Sequence, residues 1–233
     1  AVNMLGEEIK YKVVKSKDST KPRIDVGIKE IKVVLPVDSN INPERLVREN
    51  AQWIITKKRE YERYKDNAPN RVFAEGEEFP FLNNQLKINI SSQSEHKLTD
   101  TEFILAKNKV NKFSIKEELE KLYRKQARKI FTERVEYYAE QLGVNYNKIT
   151  IWNQRTRWAS CSSKKNLSFN WRLVMAPLDV IDYIVVHELV HLEERNHTKR
   201  FWQLVATFVP EYKEKAKWLE ENSSKLIFTE DDL

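Results

Sequence analysis

The chain has 233 residues, 40% of them hydrophobic, enough for one large cored domain or two small ones. No stretch approaches the uninterrupted apolar length needed to span a bilayer, so no membrane partner is expected, and residues 1–8 lack the basic start and apolar run of a secretory leader; Met4 reads as the natural start behind three added residues. A net charge of +6 permits anionic partners without demanding them, and the single cysteine, Cys161, excludes an internal disulfide and suits a cytoplasmic location.

Alternating hydrophobicity at Ile9, Tyr11 and Val13, at Ile24, Val26 and Ile28, and at Ile31, Val33 and Leu35 predicts strands joined as a small antiparallel meander, with turns at Ser16–Thr20 and around Lys29 and Glu30. Asn42 and Pro43 then open one helix running to about Tyr64, its apolar stripe formed by Leu46, Val47, Trp53, Ile54 and Ile55. Short strands follow at Arg71–Ala74, Glu78–Leu82 and Gln85–Ile90. His96 sits among polar residues with no ligand spacing to other histidines, and is read as exposed. Ser114, with Glu117 three residues on, starts a long helix whose stripe of Leu119, Leu122, Tyr123, Ala127, Ile130, Phe131, Val135, Tyr138 and Leu142 ends at Gly143. Strands are expected at Lys148–Trp152, Thr156–Ser160 and Asn166–Trp171, then a helix from Pro177, another after His197 and a last one from Pro210. The acidic tail, Thr229–Leu233, is expected to fray.

The helix from Pro177 carries His187-Glu188-Leu189-Val190-His191, and His197 follows six residues later. Residues four apart differ by roughly 40° around a helix, so His187 and His191 share a face and can grip one ion. Glu188 lies about 100° round from His187, placed to reach a water on the metal's open side rather than to ligate. If the helix continued, His197 would point roughly 240° away from His191, so it can coordinate only after a sharp turn. Asn196 is the expected turning residue because Asn tolerates the left-handed conformation. Three histidine ligands leave a fourth position for water, which implies one catalytic Zn²⁺ per chain rather than a closed structural site. Cys161 as a ligand in that open position is a weaker reading than a small buried thiol.

Arg155, Arg157 and Arg172 alternate with Trp152, Trp158 and Trp171 just before the metal helix. Arg157 and Arg172 are candidate anchors for a substrate carboxylate or phosphate, against the alternative of surface charge beside core tryptophans. Tyr183, one turn before His187, and Tyr212 are candidate stabilisers of a tetrahedral intermediate, against core packing. Phe201 and Trp202 are expected to pack behind the ligands. A carboxylate of Glu193 or Glu194 can hold the far nitrogen of a ligand histidine.

Taken together, Arg157-Trp158-Ala159-Ser160-Cys161-Ser162, Asn170-Trp171-Arg172-Leu173, Ala176-Pro177, Asp182-Tyr183, the metal motif, Asn196-His197 and Phe201-Trp202 resemble the YgjP-like metallopeptidase family, relatives of the SprT and WLM-type zincins. Glu75-Gly76-Glu77 and Phe81-Leu82 also look like that family's front half. The resemblance implies an α+β fold: a zincin-like catalytic domain, its active-site helices behind a small sheet with a peptide-pairing edge strand, over residues 101–233, preceded by a β-rich domain with one long helix over 1–100. It implies His187, His191 and His197 as metal ligands and Glu188 as the catalytic acid and base. Ala159 departs from the family, which usually has Gly there. The expected activity is a zinc metallopeptidase acting on peptide or protein. The alternatives are a metal-dependent nucleotide pyrophosphatase acting on UTP and a nucleic-acid-associated SprT-like module, for which lysines between Lys107 and Lys116 would contact phosphates. The metzincin spacing is also similar, but Glu194 stands where those enzymes need Gly.

Overall fold

The computed structural model of the protein describes residues 1–27, 30–153, 157–229 and 232. The expectations for Ile28, Lys29, Arg155, Thr156, Glu230, Asp231 and Leu233 lie outside these residues. Two compact units are formed, Ala1–Ala68 and Pro69–Asp232.

In the first unit, β1 (Val2–Met4) and β2 (Glu7–Ile9) form a hairpin. Its two turn residues, Leu5 and Gly6, have φ of 53° and 80°, the left-handed pair that matches strand twist in a two-residue loop. A second sheet holds β3 (Lys12–Ser16), β4 (Arg23–Val26) and β5 (Ile31–Pro36) in the order β3-β5-β4. Because β3 runs parallel to β5, this is not the antiparallel meander expected from the alternation. Alternation specifies which side chains share a face, but not which strand lies alongside or its direction. The one expected helix is two, α1 (Pro43–Glu49) and α2 (Ala51–Asp66). Asn42 caps the first through Oδ1, while Asn50 breaks the run, its Nδ2 donating to the Leu46 carbonyl at 2.8 Å. Ile9, Val33, Leu35, Val47 and Ile54 form the core, whereas Trp53 is exposed.

The second unit opens with β6 (Glu78–Phe81), β7 (Asn84–Ser91), β8 (Lys97–Leu98) and β9 (Glu102–Ala106), ordered β6-β7-β9-β8. Arg71–Ala74 is not a strand; the Glu77 carboxylate instead accepts the backbone N–H groups of Val72 and Ala74, both at 3.1 Å. After α3 (Lys107–Lys112) comes the 28-residue α4 (Ile115–Leu142), capped by Ser114 Oγ accepting from Glu117 N and ended by Gly143 at φ 68°. Phe79, Leu86, Ile88 and Phe103 of the sheet share one core with Leu119, Leu122 and Tyr123 of α4. The Tyr123 hydroxyl donates to the Pro80 carbonyl at 2.6 Å. These contacts place residues 69–100 with the helical part, so the compact units divide after Ala68 and not near residue 100. His96 is not exposed: its Nδ1 accepts from Ala106 N at 3.0 Å, which leaves Nε2 to donate to the buried Glu118 carboxylate at 2.6 Å.

A three-stranded sheet follows, β10 (Lys148–Trp152), β11 (Ala159–Cys161) and β12 (Asn166–Asn170), ordered β10-β12-β11. Phe169 of the central strand stacks on Phe131 of α4 at 4.5 Å between centroids. Trp171–Met175 is a 3-10 turn, and α5 (Leu178–Val190), α6 (Lys199–Phe208), α7 (Tyr212–Asn222) and a 3-10 turn at Ser223–Leu226 complete the chain. Helix α5 buries Val180, Ile181, Tyr183, Ile184, Val185, Val186, Leu189 and Val190, so apolar contact surrounds it on nearly every side. Arg134 of α4 grips Asp182 of α5 with two bonds of 2.6 and 2.7 Å, fixing the helix along its length.

Two expectations fail together at the end of the chain. Arg172, read as a substrate anchor, is 3% exposed, and its guanidinium donates to Asp232 Oδ1 at 2.6 Å and to Asn153 Oδ1 at 2.7 Å. Asp232, read as part of a frayed tail, is buried and accepts from the N–H groups of Phe228 and Thr229 through its other oxygen. The partners are 60 residues apart in sequence, so neither carries a local sign of the other. Removing one member of a buried pair strands the other's charge, so Asp232→Ala is expected to cost about 3–5 kcal/mol in urea unfolding. Adding Arg172→Met should recover most of that loss; an Asp232→Ala protein as stable as the parent would show that the pair does not form.

Candidate metal centre

The periodicity of α5 puts His187 and His191 on adjacent turns, with ring centroids 5.0 Å apart. The helix stops at His191, and the chain winds on through tight turns in which the N–H groups of both Glu193 and Glu194 donate to the Val190 carbonyl. Asn196 is not in the left-handed region. The reversal comes one residue later, where Thr198 N donates to the Asn196 carbonyl at 2.7 Å and makes a three-residue turn centred on His197. Thr198 then caps α6, its hydroxyl accepting from Phe201 N at 3.3 Å. His197 is therefore held between a tight turn and a helix cap.

The result is a convergence of rings. His197 Nε2 and His187 Nε2 are 3.0 Å apart, and one nitrogen from each of the three histidines lies within 4.8 Å of the others. Nitrogens sharing a tetrahedral zinc at 2.0–2.1 Å would stand about 3.3 Å apart, so the three rings fit such an ion after small rotations. One proton can bridge two rings but not three, whereas a single divalent ion satisfies all of them. Phe201 is fully buried and forms the floor, its ring 4.9, 4.6 and 4.7 Å from those of His187, His191 and His197. Trp202 stacks on His197 on one side and on Tyr212 on the other.

Protonation also suits a ligand role. Burial, with His191 and His197 close by, pushes the His187 pKa down to about 3, and burial lowers that of His191 as well. These rings are thus neutral bases, the form a metal requires. His191 Nδ1 lies 3.2 Å from the Glu194 backbone carbonyl, which can only accept, so Nδ1 carries the hydrogen and Nε2 keeps its lone pair. The outer partner is this carbonyl and not the carboxylate of Glu193 or Glu194. Glu188 is 6% exposed, and burial pushes its pKa up to about 7 against the Cys161 backbone N–H and the charge of Arg157, which both pull it down. A carboxyl group tuned to neutrality can exchange protons in both directions at working pH.

The histidines and Glu188 open on a cleft of about 480 Å³ walled by Arg157, Ala159, Ser160, Cys161, Ser162, Ser163 and Arg195. Strand β11 supplies this wall as an edge of its sheet, paired only with β12 among the described residues. Of the remaining expected site residues, Arg157 reaches the cleft, but Arg172, Tyr183 and Tyr212 do not line it. Tyr183 is buried edge-on against His187 at 5.9 Å, and burial, with Glu188 and Tyr212 nearby, raises its pKa. Tyr212 is one layer removed, behind Trp202. Cys161 faces the cleft with a thiol whose pKa burial and Glu188 raise, unlike an activated thiolate. Arg195 was missed in the sequence, where its segment reads only as a turn; its position between the second and third histidine was the available signal.

A His-Glu-x-x-His helix whose histidines converge with a third, beside a strand edge left unpaired among the described residues, is the layout of a metal-dependent hydrolase. The chain belongs to the YgjP-like metallopeptidase domain family, whose model matches residues 20–222. The mixed α+β architecture, with the motif helix behind a small sheet, agrees with the zincin-like expectation. No curated protein matches the chain. Among solved structures, the crystal structure of the metallopeptidase zymogen of Pyrococcus abyssi abylysin is similar at 19% identity and a TM-score of 0.37, over 42% of this chain and 99% of that one. That likeness carries no argument.

Two outcomes follow from the geometry. With metal removed by a chelator, Glu188 in the folded protein holds a proton between pH 4.5 and about 7 that the unfolded chain has released, so its contribution to stability falls as pH rises through that window. His187, at about 3 folded against 6.5 unfolded, acts oppositely between those values. Glu188→Gln should therefore be more stable than the parent at pH 8, by on the order of 3 kcal/mol, and nearly equal at pH 4.5; equal melting curves at both pH values would contradict the buried position. Separately, Trp202→Ala frees one face of His197 and should weaken zinc affinity about 10–100-fold in chelator competition, against no change if the stack is incidental.

Proposed function

We propose that this protein is a zinc-dependent peptidase in which His187, His191 and His197 hold the ion and Glu188 is the general base and acid. The observation that carries the reading is the convergence of three imidazoles beside a carboxyl group whose pKa is pushed to about 7. When bound, zinc supplies Lewis acidity, activating a water and polarising the scissile carbonyl. Glu188 takes the proton of the attacking water on a carboxylate oxygen and passes it to the departing amine nitrogen. The unpaired edge of β11 accepts the substrate as an added strand, which would hold the scissile bond over the histidines. Arg157, at the rim, is positioned for an anionic group of the substrate, and Tyr183 stays protonated and braces the His187 ring.

The nucleotide reading ranks second. The cleft arginines would suit phosphates, but Glu188 is the only carboxylate in the cleft wall among the described residues, which gives magnesium little to bind. The nucleic-acid reading has no observation specific to it. No helix is long and apolar enough to cross a membrane.

Metal analysis is expected to give one zinc per chain, with a marked loss in His197→Ala. Glu188→Gln should retain the metal and lose peptide cleavage by at least about 10²-fold. Unchanged metal in His197→Ala would remove that ligand. Cleavage of UTP that is sensitive to chelator, with no cleavage of any peptide, would replace the peptidase reading by the nucleotide one.

A further inference from the structure

The cleft lining carries more positive than negative side chains. Its wall holds two arginines, Arg157 and Arg195, against the single carboxyl group of Glu188, and its three histidines include two whose pKa is lowered. Neither arginine has an ion-pair partner among the described residues, although the protein elsewhere pairs its arginines freely, as at Arg45, Arg48, Arg59, Arg124 and Arg134. Both are exposed. Both line the cleft that the histidines and Glu188 share.

The start of α6 repeats the pattern. Lys199 and Arg200 occupy its first turn, with no acidic residue there, although the positive end of a helix dipole favours the opposite sign. Neither has an ion-pair partner among the described residues. Arg195, Lys199 and Arg200 thus flank His197 in the chain as exposed cations, a field that favours an anionic ligand.

We propose that the cleft selects extended peptides bearing acidic side chains near the scissile bond, read by Arg157 and Arg195 of its wall. This rests on the peptidase reading and names its substrate class. Guanidinium groups suit such carboxylates because each can donate two parallel hydrogen bonds. The small hydroxyl side chains of Ser160, Ser162 and Ser163 between them leave the cleft open to a backbone.

The test uses three fluorogenic peptides with one scissile bond, flanked by Glu, Gln or Lys. They are measured as kcat/KM on the zinc-loaded protein and as binding, by fluorescence anisotropy, to zinc-loaded Glu188→Gln. The Glu-flanked peptide should be preferred over the Gln-flanked one by about 10-fold or more at low ionic strength, the preference shrinking as salt is added. In Arg157→Gln/Arg195→Gln the ratio should fall below about 2-fold, and Arg157→Glu/Arg195→Glu should turn it toward the Lys-flanked peptide. Zinc content of each variant checks that the site still folds. Peptides cleaved without charge preference, or a preference surviving in the double Gln variant, would overturn this proposal and leave the peptidase reading standing. Acid-selective binding with no cleavage would do the reverse. Binding of none of the three peptides would overturn both, and displacement of the Glu-flanked peptide by a nucleoside triphosphate at far lower concentration would assign the arginines to phosphate.

Discussion

Everything in the site follows from bringing three imidazole rings within one ion's reach. Rings 4.8 to 5.0 Å apart between centroids repel as cations and compete for hydrogen bonds as neutral bases. The fold answers by burial: Phe201 closes the floor, and desolvation drives His187 down to about 3. The same burial acts oppositely on Glu188, because removing water disfavours whichever form is charged. One apolar environment therefore keeps His187 and His191 neutral and makes Glu188 a proton carrier near neutrality.

Holding that geometry needs rigid supports, and the protein supplies them at several distances. The motif helix is wrapped by apolar contacts and clamped to α4 through Arg134 and Asp182. His197, the exposed one of the three histidines, is fixed by local hydrogen bonds at Asn196 and Thr198 and by the stack that continues through Trp202 to Tyr212. The buried Arg172–Asp232 pair joins the segment after β12 to Asn153, which precedes the stretch leading to Arg157 and β11. Two residues expected to touch substrate, Arg172 and Tyr212, thus belong to the support rather than to the cleft wall.

The parts legible in the sequence are those with a local physical signature. Ser114 and Gly143 bounded α4 because a cap and a left-handed stop act within one turn, and its buried stripe followed from the 3.6-residue period. The two-histidine spacing on α5 was readable for the same reason. What escaped depends on partners distant in the chain. The parallel pairing of β3 with β5, the His96–Glu118 contact and the Arg172–Asp232 pair leave no trace in neighbouring residues. The turn before His197 was placed at Asn196 by residue preference, yet the chain reverses by a tighter turn that needs no left-handed residue. Arg195 escaped because a charged residue in a turn reads as solvated until the fold is seen to bring it to the same cleft as β11.

The proposed centre has His187, His191 and His197 sharing one zinc ion with a position left open. X-ray absorption at the zinc edge, on protein carrying its stoichiometric metal, tests this most directly. The account predicts three imidazole nitrogens and one oxygen at about 2.0–2.1 Å. A sulfur scatterer at about 2.3 Å would mean that Cys161 closes the site, and one or two imidazoles in place of three would contradict the convergence from which the rest of the account is built.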